Sequence, residues 1–194
     1  MLTKKIGLAA ALVLYAGAAM AGGWTLNADQ SKVSFGSIKN GYTGESHYFA
    51  GMTGSVDDTG AAKIALDVTS VDTRIEIRDE RMLTHVLKAV DFPAAEVTSQ
   101  IDMAEMSKLS PGESTILDAE LVLSFLGADI EIYTELFVLA VAEDRVLVTS
   151  DEMIMIGTDE LGIEEGVEKL REIAGLDTIA QTTPVTLRLM FVKD

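Results

Sequence analysis

The chain has 194 residues, no cysteine, a hydrophobic fraction of 48% and a formal net charge of −16. That length fits one domain able to bury its own core, and the missing cysteines exclude disulfides and a thiol nucleophile. The acidic excess argues against nucleic acid and anionic membrane surfaces as partners, because both call for Lys and Arg.

The first element is a leader. Lys4 and Lys5 precede an apolar run over 6–19, which closes on the small-x-small signal Ala19-Met20-Ala21. The run is shorter than the roughly 20 residues a spanning helix needs. Residues 1–21 are therefore expected to be a cleavable signal peptide. A single domain over 22–194 would then be exported to the periplasm, with 194 − 21 = 173 residues and a charge near −18 once Lys4 and Lys5 leave. No later stretch is apolar and long enough to span a bilayer, so the mature chain is expected not to cross a membrane.

Period-two patterning then dominates. Residues 24–38 give two short strands around a turn at Ala28-Asp29-Gln30-Ser31, with Val33 and Phe35 sharing a face. Residues 48–56 alternate less cleanly, and Asp57-Asp58-Thr59-Gly60 has the composition of a hairpin turn. In the next strand, over 61–71, Ile64, Leu66 and Val68 fall together. Over 79–90 the period changes: Met82, Leu83, Val86, Leu87 and Val90 recur at helical spacing, and Pro93 stops the helix. Residues 94–106 read as a strand, and Pro111-Gly112 as a turn. Strong strands follow over 114–126, 129–142 (after a turn centred on Gly127) and 145–156, and another closes the chain over 183–192. Before that last strand, Ile163, Val167, Leu170 and Ile173 give a second helix over 162–174, with Gly175 as its stop. Regular strand and turn spacing predicts one antiparallel sandwich or barrel carrying two short helices.

Chemistry is sparse. G-x-S-x-G and a phosphate-binding glycine loop are absent. His47 and His85, the only histidines, lie 38 residues apart and read as polar surface residues rather than as metal ligands. The acidic pairs Asp57-Asp58, Asp151-Glu152 and Asp159-Glu160 lack the spacing of a calcium loop and read as solvated turns. No metal and no cofactor is expected. With 31 carboxylates a carboxylate-based periplasmic hydrolase is a rival reading, which would need two carboxyls facing one cleft.

One segment is unusual: "SVDTRIEIRDERMLTHVLKAVDFPAAEVTS" packs charge between a strand and an amphipathic helix. Ser70-Val71-Asp72-Thr73, then Arg78-Asp79 with Leu83, then Asp91-Phe92 and Pro93 resemble the signature of the YceI-like family of periplasmic polyisoprenoid-binding proteins. The opening "WTLNADQSKVSF" is similar to that family's first strands through Trp24, Leu26, Asn27, Ser31, Val33 and Phe35. Two departures stand out: R-D-E-R-M-L is one residue longer than the family's R-D-x-H-L, and its usual histidine is not matched.

The resemblance implies an all-β fold, an extended antiparallel eight-stranded lipocalin-like barrel with two short helices. It also implies a binding protein that is not an enzyme. Its lumen would take an apolar chain-like lipid: a polyisoprenoid, an isoprenoid quinone tail or a fatty amide. Candidate lining residues are Phe35, Phe49, Leu66, Met82, Val86, Phe92, Phe125, Leu136 and Ile154, with Arg78 and Asp79 bracing the mouth or meeting a head group. Nothing in the pattern speaks against a homodimer. A barrel filled by its own side chains, serving interaction or stress response without a ligand, is the remaining alternative.

Overall fold

The computed structural model describes residues 23–194, so the expected leader over 1–21 lies outside the described residues. In chain order the elements are β1 (Trp24–Leu26), β2 (Lys32–Lys39), β3 (Thr43–Phe49), β4 (Met52–Val56), β5 (Ala61–Asp67), β6 (Val71–Asp72) and α1 (Glu76–Arg81), which continues into a π-helical segment over Met82–Val86. There follow β7 (Ala94–Gln100), α2 (Met103–Met106), β8 (Ser114–Phe125), β9 (Ala128–Ala142), β10 (Arg145–Ser150), β11 (Ile154–Gly157), α3 (Glu164–Ala174) and β12 (Thr182–Lys193).

Eight strands close a ring in the order β1, β4, β5, β7, β8, β9, β10, β12 and back to β1, every pairing antiparallel. The barrel class expected from the sequence is thus observed. Closure leaves no free edge in the ring. Above the ring the sheet forks. The first half of β12 pairs with β2 on one side and β11 on the other, and β2 carries β3 and β6 away from the ring. The forking follows from breaks in three long strands. A single 3-10 turn at Ala28–Gln30, capped by the Asn27 side chain, separates β1 from β2. Ala50-Gly51 separates β3 from β4, and Asp151-Glu152-Met153 separates β10 from β11.

Local chemistry accounts for the turns. Asp57 Oδ1 accepts from Thr59 N, Thr59 Oγ1 and Ala61 N at 2.8, 2.6 and 3.0 Å, an Asx-type turn. Leu126 and Gly127, at φ of 50° and 83°, form the two-residue turn between β8 and β9, with Phe125 paired to Ala128. Positive φ at both central positions is the twist-matched hairpin geometry.

Four expectations need correction, the first being the strand over 61–71, which ends at Asp67, where Val68–Ser70 form a 3-10 turn. The strand over 94–106 ends at Gln100; Asp102 then accepts from Ala104 N at 2.8 Å and caps α2, a four-residue helix too short to show a period. Among the described residues there are therefore three α-helices, not two. The strand over 145–156 is split into β10 and β11. The helix expected over 79–90 begins earlier, at Glu76, and widens into a π-turn closed by the Leu87 N–H donating to Met82 O at 2.8 Å. A π-turn holds one residue more than an α-turn, which matches the extra residue in R-D-E-R-M-L. The second helix, α3, runs close to its expected bounds and ends on Gly175 at φ 62°.

Candidate functional site: an apolar lumen with a polar mouth

Small barrels enclose a ligand only when the inward side chains leave space. Here they leave a cavity of about 490 Å³, within the size range of ligand pockets. Its walls come from β2, β3, β5, β7, β8, β9, β11 and β12, roofed by the π segment and by the Ile163, Val167 and Leu170 face of α3. A barrel filled by its own side chains is not what is observed.

Side-chain alternation turns the sheet into a polarity gradient. Along β2 the residues Val33, Phe35, Ser37 and Lys39 all line the cavity, and along β3 Phe49, His47 and Glu45 do the same. The register pairs Val33 with Phe49, Phe35 with His47 and Ser37 with Glu45. Each two-residue step therefore trades aliphatic for aromatic, then aromatic for charged, from depth to mouth. The Phe35 and Phe49 rings stack 5.3 Å apart, and Phe35 also meets the His47 ring at 5.2 Å.

The mouth is an ion-paired cluster. Glu45 Oε2 receives Arg78 Nη1 at 2.7 Å and Lys39 Nζ at 2.9 Å. Burial alone would raise the Glu45 carboxyl, but the Lys39 hydrogen bond and the Arg78 charge outweigh it and hold it below its ordinary value. Glu45 is the one carboxylate on the cavity wall among the described residues. Arg78 Nη2 donates to Thr73 O at 2.6 Å. Asp79 turns the other way: its Oδ1 accepts from Thr73 N at 2.8 Å and from Thr73 Oγ1. The Arg-Asp pair thus clamps Thr73, which is 1% exposed, through its carbonyl, amide and hydroxyl. Asp72 completes the corner by accepting from Arg74 N at 2.7 Å and from the Tyr48 hydroxyl.

His47 overturns a sequence expectation. It is not a surface residue but is 2% exposed, with Nε2 hydrogen-bonded to Ser37 Oγ at 2.9 Å. Its Nδ1 and Arg78 Nε are buried without a protein partner among the described residues. Burial, and then the positive charge of Arg78, push the His47 ring down from 6.5 to about 4, against the pull of Glu45. The sign of the consequence is definite. The unfolded chain takes up a proton near pH 6.5 and the folded ring only near pH 4, so His47 costs no stability above the upper value and progressively more as pH falls through the window. That loss reaches about 3 kcal/mol at the lower end. In urea unfolding followed across this range, His47→Gln is expected to show a shallower fall in stability than the parent. Equal slopes would mean that the ring is not held neutral.

The sequence-derived candidates divide as follows. Phe35, Phe49, Leu66, Met82, Val86, Phe125, Ile154 and Arg78 stand together on the cavity wall. Asp79 does not; it serves Thr73. Leu136 lines a second, smaller cavity of about 90 Å³. Phe92 lines neither cavity; its ring packs against Gly127 of the β8–β9 turn, where a Cβ would come within 3.3 Å. Sequence reasoning missed Ser37, Lys39, Glu45 and His47, although extending the alternation back from Phe49 would have put Glu45 and His47 on its face. It also missed that α3 roofs the lumen, because its apolar stripe reads the same against any neighbour.

No helix among the described residues is long and apolar enough to cross a membrane. Curated proteins give no match to the chain. Among solved structures, a polyisoprenoid binding domain from Saccharophagus degradans implicated in plant cell wall breakdown is similar at 29% identity and a TM-score of 0.86, covering 88% of this chain and 98% of its own. BcnA from Burkholderia cenocepacia shares the fold at 15% identity and a TM-score of 0.66, over 85% of this chain and 98% of its own. The model of the YceI-like domain matches residues 24–189, essentially the whole described barrel with its fork and helices, and the chain belongs to that family.

Proposed function

We propose that this protein is a periplasmic carrier that holds one isoprenoid-type lipid in its lumen, tail inward and polar end at the mouth, and catalyses nothing. The observation that carries this reading is the apolar cavity of about 490 Å³ graded toward a charged rim. The similar domain from Saccharophagus degradans, described as polyisoprenoid binding, supports the ligand class. The energetics suit a chain: removing about 400 Å² of apolar surface from water is worth on the order of 10 kcal/mol gross, much of it offset by the freedom lost on association. A carboxylate-pair hydrolase has less behind it, since among the described residues Glu45 stands on the wall without a second carboxyl and is ion-paired to two cations. Export follows from the leader-like residues 1–21.

The test is expression of the full chain in a Gram-negative host, recovery from the osmotic-shock fraction, N-terminal sequencing, and mass spectrometry of an organic-solvent extract. A mature start at Gly22 and a co-purified isoprenoid, quinone or fatty amide are expected. A protein that carries no lipid and takes up no isoprenoid probe would overturn the carrier reading. Retention of residues 1–21 in the cytosolic fraction would overturn the location.

A further inference from the structure

The main cavity and the smaller cavity of about 90 Å³ beneath it share four lining side chains: Ile64 on β5, Val97 on β7, Leu121 on β8 and Leu187 on β12. In the ring order, β7 lies diametrically opposite β12, with β5 and β8 on its two sides. Leu187 therefore lies on the strand opposite a cluster built by the facing strands, in which Ile64 and Val97 are direct register partners. This layer of four aliphatic side chains lines both spaces at once and so lies where they meet. The lower space presents an apolar surface, although Thr98 and Ser99 are among the residues around it, with Met103 and Met106 of α2 also bounding it. Polar ligand groups have no use for it; a hydrocarbon tail does.

We propose that this layer is a partition that sets the length of the chain the lumen accepts, and that the lower chamber is a tail subsite closed off by it. The proposal rests on the carrier reading and deepens it. Chains short enough to end above Leu187 bind without disturbing the layer. Longer chains must displace packed side chains to reach the lower chamber, so the apolar area of their last units brings no gain in affinity. Thinning the layer converts that area into binding. Leu187 is the most informative position, because it alone supplies its side of the partition and is only half-buried.

The test is a titration of delipidated parent, Leu187→Ala and Ile64→Val with farnesol, geranylgeraniol and solanesol, alongside the melting temperature of each free protein. Ile64→Val trims a single methyl group and keeps the test decisive where Leu187→Ala fails to fold. In the parent, affinity is expected to rise from farnesol to geranylgeraniol and then level off. In Leu187→Ala the ratio of solanesol to farnesol affinity is expected to rise about tenfold or more, and in Ile64→Val by a smaller factor in the same direction. Identical ladders in parent and variants, or a parent ladder that keeps climbing to solanesol, would overturn the partition. Failure of the parent to bind any of the three prenols would instead overturn the carrier reading itself.

Discussion

Asp79→Ala is expected to cost about 2–3 kcal/mol of folding stability, because it strips a buried residue of its hydrogen-bond acceptor. Thr73 is 1% exposed, and its amide and hydroxyl both donate to Asp79 Oδ1. Without that oxygen the hydroxyl can turn only to Ile75 O, already at a poor 3.4 Å, and the amide is left with no acceptor among the described residues. Each buried, unpaired donor forfeits about 1–3 kcal/mol of solvation. Asp79→Asn keeps an acceptor oxygen and loses only the charge, so its cost should be roughly half as large, in line with the greater strength of charge-assisted bonds. Urea unfolding of the three proteins checks this. A change within about 0.5 kcal/mol for Asp79→Ala, the range of an ordinary surface substitution, would show that the clamp contributes nothing.

The same clamp shows what the sequence could and could not disclose. The strand-end tetrad Ser70-Val71-Asp72-Thr73 and the downstream Arg78-Asp79 were legible as a unit, yet the unit has two jobs that spacing alone does not separate. Asp79 is spent on Thr73, whereas Arg78 divides its terminal nitrogens between Thr73 O and Glu45 on the cavity rim. The barrel strands were readable because a half-buried strand must alternate, and Leu117, Leu121, Leu136 and Val138 do so plainly. The face of His47 was readable by alternation from Phe49, but its burial was not, because that depends on Phe35 across the register and on Arg78 from a helix 31 positions away. Leu136 alternates as well as any lining residue but faces the lower chamber, because depth along a barrel axis is set by strand stagger, to which residue type is blind. Phe92 shows a similar limit. An aromatic after a helix reads as core, yet its partner is a glycine made available by the turn at Leu126-Gly127.

Gly166→Ala should be destabilising, against the direction of helix propensity. Glycine in a helix interior is less favourable than alanine by about 1 kcal/mol, so an exposed helical glycine would be improved by the change. Gly166 is buried, on the face of α3 that packs against the π segment. A Cβ there would lie 2.3 Å from His85 O and 2.8 Å from Val86 Cα. Both are backbone atoms, so no rotamer change relieves the clash and the two helical segments must separate. Overpacking of this kind costs about 1–3 kcal/mol, and at about 2–4 °C per kcal/mol for a domain of this size the melting temperature should fall by several degrees. The segments that part are the roof of the lumen: Val86 on one side, Ile163, Val167 and Leu170 on the other. Lipid retention through purification should therefore fall together with stability. The neighbouring exposed position gives the control, since Glu165→Ala adds no contact and should change neither quantity. If Gly166→Ala melts at or above the parent temperature, α3 does not sit this close to the π-turn, and the roof of the cavity must be built some other way.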